Sequence, residues 1–566
     1  MMSNIPRPEH PNPQFERENW RNLNGVWEFE IDKSNVGEEC GFVEQAHFSR
    51  EILVPFCPES RLSGVGILDF MDAVWYKRRF DISAEELRGD VLLHFGAVDY
   101  ECTVYVNGNR VGSHKGGYSS FEMDVTPYLA VGDNVLTVRA VDHTRSPLQP
   151  SGKQSESAHS HGCHYTRTTG IWQTVWLEFV PKKRLNFIRL TPNANACSVV
   201  IEAFPNSGGT LYAECRYEGK PMGSRRVELG QGGGSFELPL AEKHLWDIGQ
   251  GRLYDLTLTF GEDRVSTYFG LRSIGFDGMK FLLNDRVVFQ RLVLDQGFYP
   301  DGIYTAPSEE ALRQDIKLSQ AMGFNGARLH EKVFEPRFLY HCDREGYLVW
   351  GEYPNWGVDI SRPDALHVVM EEWLETLRRD GNHPAIIGWC PFNETWDYAG
   401  RKQYDQTLSA VYHLTKAVDP TRPCIDTSGA YHVVTDVFCV HDYEQNPAIF
   451  KARYDRLMTE GTLTEPQSHR QTYRGEPVFL SEYGGTGWPT GIYGDAPKTK
   501  ADFLARFEGL TTALLQNDRM FGLCYTQLYD LEQEINGLYT YDRQAKFPPE
   551  TIAAILTRPA AIEQQP

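Results

Sequence analysis

A chain of 566 residues with 41% hydrophobic and 12% aromatic content is too long for one hydrophobic core, so three or four domains are expected. Its formal charge of −20 sets up a field that repels nucleic-acid phosphates and anionic membranes, which excludes both as partners and favours neutral ones. The chain has no basic segment leading into an apolar run, no stretch of about twenty apolar residues, and 11 cysteines without a C-x-x-C pair. A soluble, cytoplasmic protein with reduced thiols is expected, or an exported one if a leader has been removed.

The first third alternates short β-rich runs with turn residues. Glu101–Val111 is its clearest hairpin: Cys102, Val104 and Val106 share one face, and Asn107-Gly108 suits a tight turn with positive φ. Further strands are expected at Gly25–Ile31, Val91–Phe95, Asn134–Val141 and Gln173–Phe179, with no long amphipathic helix among them, which predicts a β-sandwich ending near Val180. A second all-β block of immunoglobulin size follows from Leu185 to Phe276, with alternation at Cys197–Ala203, Thr210–Tyr217 and Tyr254–Phe260. The predicted divisions are residues 1–182, 183–276 and 277–566.

From Asp277 the pattern becomes strand, loop, amphipathic helix, repeated. Candidate strands are Val288–Asp295, Asn325–Leu329, Tyr347–Gly351, Ile386–Phe392, Cys424–Thr427, Val437–His441, Val478–Glu482 and Gly522–Gln527. Ser308 caps a helix expected to run to Met322 and stop at Gly323. Eight strands alternating with helices predict an (α/β)8 TIM barrel, with one degenerate repeat where Ser428–Thr435 is too short for a helix. The C-terminal tail Ile562–Pro566 is polar and expected to fray.

Barrels of this kind build active sites at strand C-termini. Two glutamates stand there after apolar runs: Glu394 beyond the fourth strand and Glu482 at the end of the seventh. Stability does not call for carboxylates at such places, since burying one costs several kcal/mol unless it is paired. Acetal cleavage does: it needs a proton for the departing oxygen and a nucleophile for the anomeric carbon, and two carboxyls roughly 5–5.5 Å apart supply both with retention. Asn393, next to Glu394, is suited to bonding a sugar hydroxyl near the reacting carbon.

The Asn393-Glu394 pair, Ser481-Glu-Tyr-Gly-Gly485, Gly96–Gly108, Tyr165–Leu177 and Gly270–Phe276 together resemble family two of the glycoside hydrolases. The resemblance spans nearly the whole chain. It implies a jelly-roll sugar-binding domain, an immunoglobulin-like β-sandwich and a catalytic TIM barrel, with Glu394 matching the acid/base and Glu482 the nucleophile of a retaining exo-glycosidase. It implies substrate contacts for Arg328 and His330 and a nucleophile-orienting role for Tyr443 in His441-Asp-Tyr443. Asp295, Gln296, Trp356, Trp488 and Gln527, with Asp530, are further candidates around the mouth.

Within such a family the sugar stays open. The Asn-x-Lys pair by which β-glucuronidases of this family hold the uronate carboxylate is missing from Glu534–Arg543, which favours a terminal neutral sugar; a β-galactosidase-type activity stands first as the broader class. The first-strand segment Leu294–Asp301 differs from that of familiar β-galactosidases, so a furanosidase acting on α-L-arabinofuranosides or β-D-galactofuranosides is an alternative. β-Glucuronidase and a non-catalytic carbohydrate-binding protein are the others. No cofactor or metal is expected: Glu352 lacks the histidine that accompanies a magnesium carboxylate, and His159-Ser-His161-Gly-Cys163-His164 has no second ligand cluster at zinc-finger spacing. That loop, with Gly152-Lys-Gln154 and Tyr165, is instead a candidate to reach the barrel mouth and narrow it. A homo-oligomer is allowed, with no surface identified for it.

Overall fold

The computed structural model describes residues 5–397, 400–463 and 470–565. In the N-terminal part the buried side chains of Cys102, Val104 and Val106 alternate as expected, and Asn107 (φ 51°) and Gly108 (φ 80°) reverse the chain from Glu101–Val106 into Asn109–Lys115. One sheet runs in the order Arg50–Val54, Gly25–Ile31, Ala73–Ile82, Gly132–Val141, Glu101–Val106, Asn109–Lys115. The other runs Trp20–Asn22, Val175–Val180, Asp90–Phe95, Phe121–Asp124. Both contribute to one apolar core, in which Leu93 and Leu177 meet Val104 and Val138.

A second pair of sheets follows. Leu185–Asn193, Ser198–Pro205 and Gly234–Pro239 form one, and Lys220–Leu229, Gly209–Tyr217, Tyr254–Phe260 and Asp263–Phe269 the other, around a separate core. Arg17 fastens the two sandwiches, donating to Glu178 and Asp263, each at 2.8 Å, and to the carbonyl of Leu185 at 2.6 Å.

The C-terminal part is a parallel α/β barrel. Among the described residues seven strands hydrogen-bond in the order Ile386–Cys390, Leu348–Glu352, Gly326–Leu329, Gln290–Asp295, Met520–Thr526, Val478–Gly484, Phe438–Asp442. They are almost entirely buried, as strands covered on both faces must be. The helix Glu309–Ala321 starts where the capping residue predicts, with Ser308 Oγ accepting from Ala311 N–H at 3.2 Å.

The stretch Cys424–Thr427 departs from expectation. It is not a laddered strand but touches the fourth strand and its extension through the isolated bridges Trp389↔Cys424 and Asn393↔Ser428. Its polar groups are spent on the next loop: Asp426 accepts from Val433 and Val434 N–H at 2.6 and 3.0 Å, and Cys424 N–H donates to Asp436 at 2.9 Å. This is the degenerate repeat.

The fraying expected of the tail is corrected through Gln565; Pro566 lies outside the described residues. Ile562 is fully buried in a short helical turn, Ala561–Gln564, and Glu563 pairs with Arg291 at 2.8 Å. One apolar anchor and one ion pair suffice to hold the segment. All the cysteines are free thiols, and among the described residues no helix is long and apolar enough to cross a membrane.

Candidate active site

The strands Ile386–Cys390 and Val478–Gly484 bring the two glutamates to one place. Glu394 takes a left-handed conformation (φ 48°), its N–H donating to Ser428 O at 2.9 Å, while Glu482 lies within its strand and is almost fully buried. A carboxylate oxygen of each and a ring nitrogen of His441 all lie within 4.8 Å of one another. The two carboxyl groups therefore face one another across a single cleft.

His441 stands between them. Its Nδ1 is 2.7 Å from Glu394 Oε1 and 3.3 Å from Glu482 Oε2, and its Nε2 is 2.9 Å from Ser428 Oγ. Burial works against a charged imidazole here, but the Glu482 and Glu394 carboxylates outweigh it and hold His441 above its ordinary pKa. Burial likewise pushes Glu394 up, and the His441 hydrogen bond and charge, helped by Lys153 and Arg328, bring it below the usual carboxylate range. For Glu482 burial and the Glu394 charge raise the pKa, while His441, His330 and Arg328 lower it, with a net downward direction.

Arg328 organises the floor of the site. It donates to Glu482 Oε1 at 3.0 Å, Ser481 O at 2.8 Å, Glu352 Oε1 at 2.6 Å and Asn393 Oδ1 at 3.1 Å. His330 Nδ1 lies 3.1 Å from the other oxygen of Glu352, and its Nε2 is 4.0 Å from Glu482 Oε1. Glu352 is therefore engaged by Arg328 and His330. The phenol of Tyr443 donates to Glu482 Oε2, and its ring stacks on Tyr493 at 4.0 Å. Asn393 is held by Asn355, whose Oδ1 accepts its N–H at 2.7 Å, and its own Nδ2 is buried without a protein partner. Among the described residues that donor is unused, while the oxygen of the same amide accepts from Arg328.

The remaining candidates sort by what occupies their polar atoms. Trp356 donates its indole N–H to Asn393 O at 3.2 Å and forms part of the wall next to Glu394. Gln296 donates to Gln527 at 3.0 Å, and Gln527 to Asn536 at 2.8 Å. Trp488 is half-buried and tied through its backbone to Ile535 O at 3.1 Å. Asp295 accepts from Tyr529 at 2.7 Å and Gly297 N–H at 2.9 Å, and burial pushes its pKa up to about 6. Asp530 pairs with Lys546 at 2.7 Å and accepts from Gly537 N–H at 2.9 Å, so it braces a loop.

Other residues enter the site from less obvious places. The Gln296–Gln527–Asn536 chain continues to Glu534, which accepts from Asn536 at 2.9 Å and from the Tyr165 hydroxyl. Tyr165 belongs to the first sandwich. The loop before it also reaches the barrel: Ser151 N–H donates to Trp356 O at 2.7 Å, Lys153 lies over the Trp356 ring at 3.7 Å, and Gln533 donates to Gly162 O at 2.9 Å. Of the histidines of that loop, His164 serves the docking by packing on Trp356 at 5.2 Å, while His161 meets Glu156 of the loop itself at 3.1 Å. Sequence motifs could place the loop near the mouth, but not say which side chain would enter it.

Among the described residues one group of donors is close enough to share an ion, Glu394, His441 and Glu482. Each is already engaged with the others, with Tyr443 or with Arg328, an arrangement that manages a proton between two carboxylates. Carboxyl and imidazole groups in such contact are able to act as acid, base or nucleophile.

Comparison with known proteins gives this geometry a setting. Residues 20–178 match the glycosyl hydrolases family 2 sugar binding domain, and residues 304–502 the glycosyl hydrolases family 2 TIM barrel domain. A putative β-glucuronidase of Formosa agariphila is 27% identical over 73% of this chain, which spans about half (50%) of that protein's length. The β-glucuronidase of Rattus norvegicus is 25% identical over 88% of this chain and 81% of its own, and β-galactosidases occur among the relatives as well. The Ruminococcus gnavus β-glucuronidase solved in complex with D-glucuronic acid superposes with a TM-score of 0.79 at 18% identity, over 97% of this chain and 100% of that one. With both family domains matched in order and two carboxylates converging at the barrel mouth, this chain belongs to glycoside hydrolase family 2.

Proposed function

We propose that the chain is a retaining, exo-acting glycosidase in which Glu482 attacks the anomeric carbon and Glu394 protonates the departing oxygen. The observation that carries this reading is the approach of the two carboxylates to the same nitrogen, Nδ1, of His441. Glu482 is kept ionised by Arg328 and Tyr443, which bond its two oxygens separately. The proton for the leaving group is shared across the 2.7 Å His441–Glu394 contact. In the second half-reaction Glu394 takes a proton from water, which displaces Glu482 from the glycosyl-enzyme. The free amide nitrogen of Asn393 suits the sugar hydroxyl next to the reacting carbon, where a bond strengthens as positive charge develops. In this reading residues 277–566 carry the chemistry, and residues 1–182 supply the loop that closes the mouth and restricts the enzyme to terminal sugars, with residues 183–276 as a second support.

For the sugar, a β-D-glucuronide comes first, ahead of the β-galactoside expected from the sequence. It is supported by the β-glucuronidases among the relatives and structural neighbours and by an unpaired lysine at the mouth. A neutral glycoside is the second reading, supported by Glu534 and Asn536, which stand in the stretch that lacks the Asn-x-Lys pair. A panel of nitrophenyl β-glucuronide, β-galactopyranoside, α-L-arabinofuranoside and β-galactofuranoside, with proton NMR of the first-formed anomer, separates them. The glucuronide is expected to be cleaved with the highest kcat/KM and with retention; inversion on any substrate would refute the mechanism, and a preferred neutral sugar would refute the sugar assignment.

A further inference from the structure

Lys153 is a cation at the barrel mouth that no anion among the described residues claims. It comes from the first sandwich, on a loop docked against the barrel so closely that a Cβ on Gly152 (φ 54°) would lie 2.3 Å from Glu331 O. Lys153 is 6% exposed, and its ammonium rests 3.7 Å from the centroid of the Trp356 ring. Trp356 is fixed in turn by its bond to Asn393 O, so the ammonium is held beside the wall that carries Glu394.

Among the described residues no carboxylate oxygen lies within 4.0 Å of Lys153 Nζ, and no acceptor takes a hydrogen bond from it. Burial opposes its charge, but Cys163 where it is ionised, and the carboxylates of Glu394, Glu534 and Glu482, favour it from a distance, and the net direction is upward. The Glu534 oxygens are turned to Tyr165 and Asn536 instead. Most of the side chain is buried while its N–H donors have no protein acceptor among the described residues, so an anionic ligand in the cleft could both accept from it and balance its charge.

We propose that Lys153 is the specificity-determining residue of this enzyme, receiving the carboxylate of a glycuronide from the sandwich side of the cleft. The proposal rests on the glucuronide reading above and extends it by naming the group that takes the place of a lysine missing from Glu534–Arg543. A sugar ring seated between Glu394 and Glu482 would present its carboxylate to Nζ while its anomeric carbon faces Glu482.

The test compares wild type with Lys153→Met and Lys153→Arg on nitrophenyl β-D-glucuronide, its methyl ester and nitrophenyl β-D-glucoside. In Lys153→Met the glucuronide-to-glucoside ratio of kcat/KM is expected to fall roughly 10- to 100-fold, mainly through KM, with part of it restored in Lys153→Arg. The wild type's preference for the acid over its methyl ester is expected to vanish in Lys153→Met. Because each ratio is taken within one variant, a loss of folded protein cancels; an unchanged ratio would overturn the proposal. A wild type that cleaves the glucoside but not the glucuronide sinks the glucuronidase reading, and inhibition then judges Lys153 separately. Stronger inhibition of that turnover by glucuronate than by glucose, lost in Lys153→Met, upholds it; equal inhibition in the wild type overturns it.

Discussion

Nδ1 of His441 lies 2.7 Å from Oε1 of Glu394, so the carboxyl assigned as acid/base and the imidazole hold one proton between them. The same ring depresses Glu482, and the carboxylates in return raise His441. Replacing His441 by Gln removes the positive partner, so the pKa of each glutamate is expected to rise. The acid limb of the kcat/KM profile, which follows ionisation of the nucleophile, should move to higher pH, with a loss in kcat of roughly 100-fold or more. A pH–rate profile with an unmoved acid limb would show that His441 only packs.

The two glutamates are expected to differ in chemical rescue. In Glu394→Ala the glycosyl-enzyme still forms from an activated nitrophenyl substrate, and azide attacks it to give a glycosyl azide of retained configuration. In Glu482→Ala azide enters the vacated space and displaces the leaving group directly, with inversion. Proton NMR of the azide products reads the difference. The same configuration from both variants would contradict the assigned roles.

Gly152 carries the docking of the sandwich loop. Its φ of 54° and the 2.3 Å approach of a Cβ to Glu331 O leave no room for a side chain. Gly152→Val is expected to displace Lys153 and Trp356 and to lower kcat/KM roughly 100-fold, since misplacement by about 1 Å costs that much. The circular dichroism spectrum should stay unchanged. Full activity in this variant would mean that the first sandwich does not shape the site.

Glu178 is placed to make stability depend on pH. Burial raises its pKa, but His94, Arg17 and His10 outweigh this and bring it to about 2, below an ordinary value of 4.5. A carboxyl depressed on folding stabilises the folded chain above its unfolded pKa and loses that contribution as pH falls through the folded one. Glu178→Gln is therefore expected to destabilise by about 3 kcal/mol at pH 7, where it leaves Arg17 with Asp263 as its one carboxylate partner among the described residues. The gap in Tm from wild type should narrow as pH drops from 4.5 towards 2. A gap of constant size would mean that Glu178 contributes through packing and not through charge.

Much of this was legible before any coordinates. Glu394 and Glu482 follow apolar runs that only a barrel interior would bury, so position alone marked them, and the hairpin through Asn107-Gly108 announced itself by the backbone angles it needs. What escaped depended on long-range choices. His441 could be placed at a strand end, but not between two carboxylates contributed by other strands. Cys424–Thr427 reads as a strand by composition, yet Asp426 uses its side chain to fold the following loop. The tail looked free because four of its five residues are polar or proline, and the one apolar residue, Ile562, decides its fate. Lys153 sits in a polar loop whose meaning comes from docking against Trp356, a residue about two hundred positions away.

The most direct trial of the account is to trap its intermediate. A 2-deoxy-2-fluoro-β-glucuronyl fluoride, and the corresponding galactosyl fluoride, should inactivate the enzyme with time by forming a slowly hydrolysed ester. Peptide mass spectrometry is expected to locate the added sugar on Glu482, in the segment Val478–Gly484. An adduct on any other side chain, or turnover that proceeds with inversion and leaves no adduct, would contradict the double displacement on which the whole reading depends.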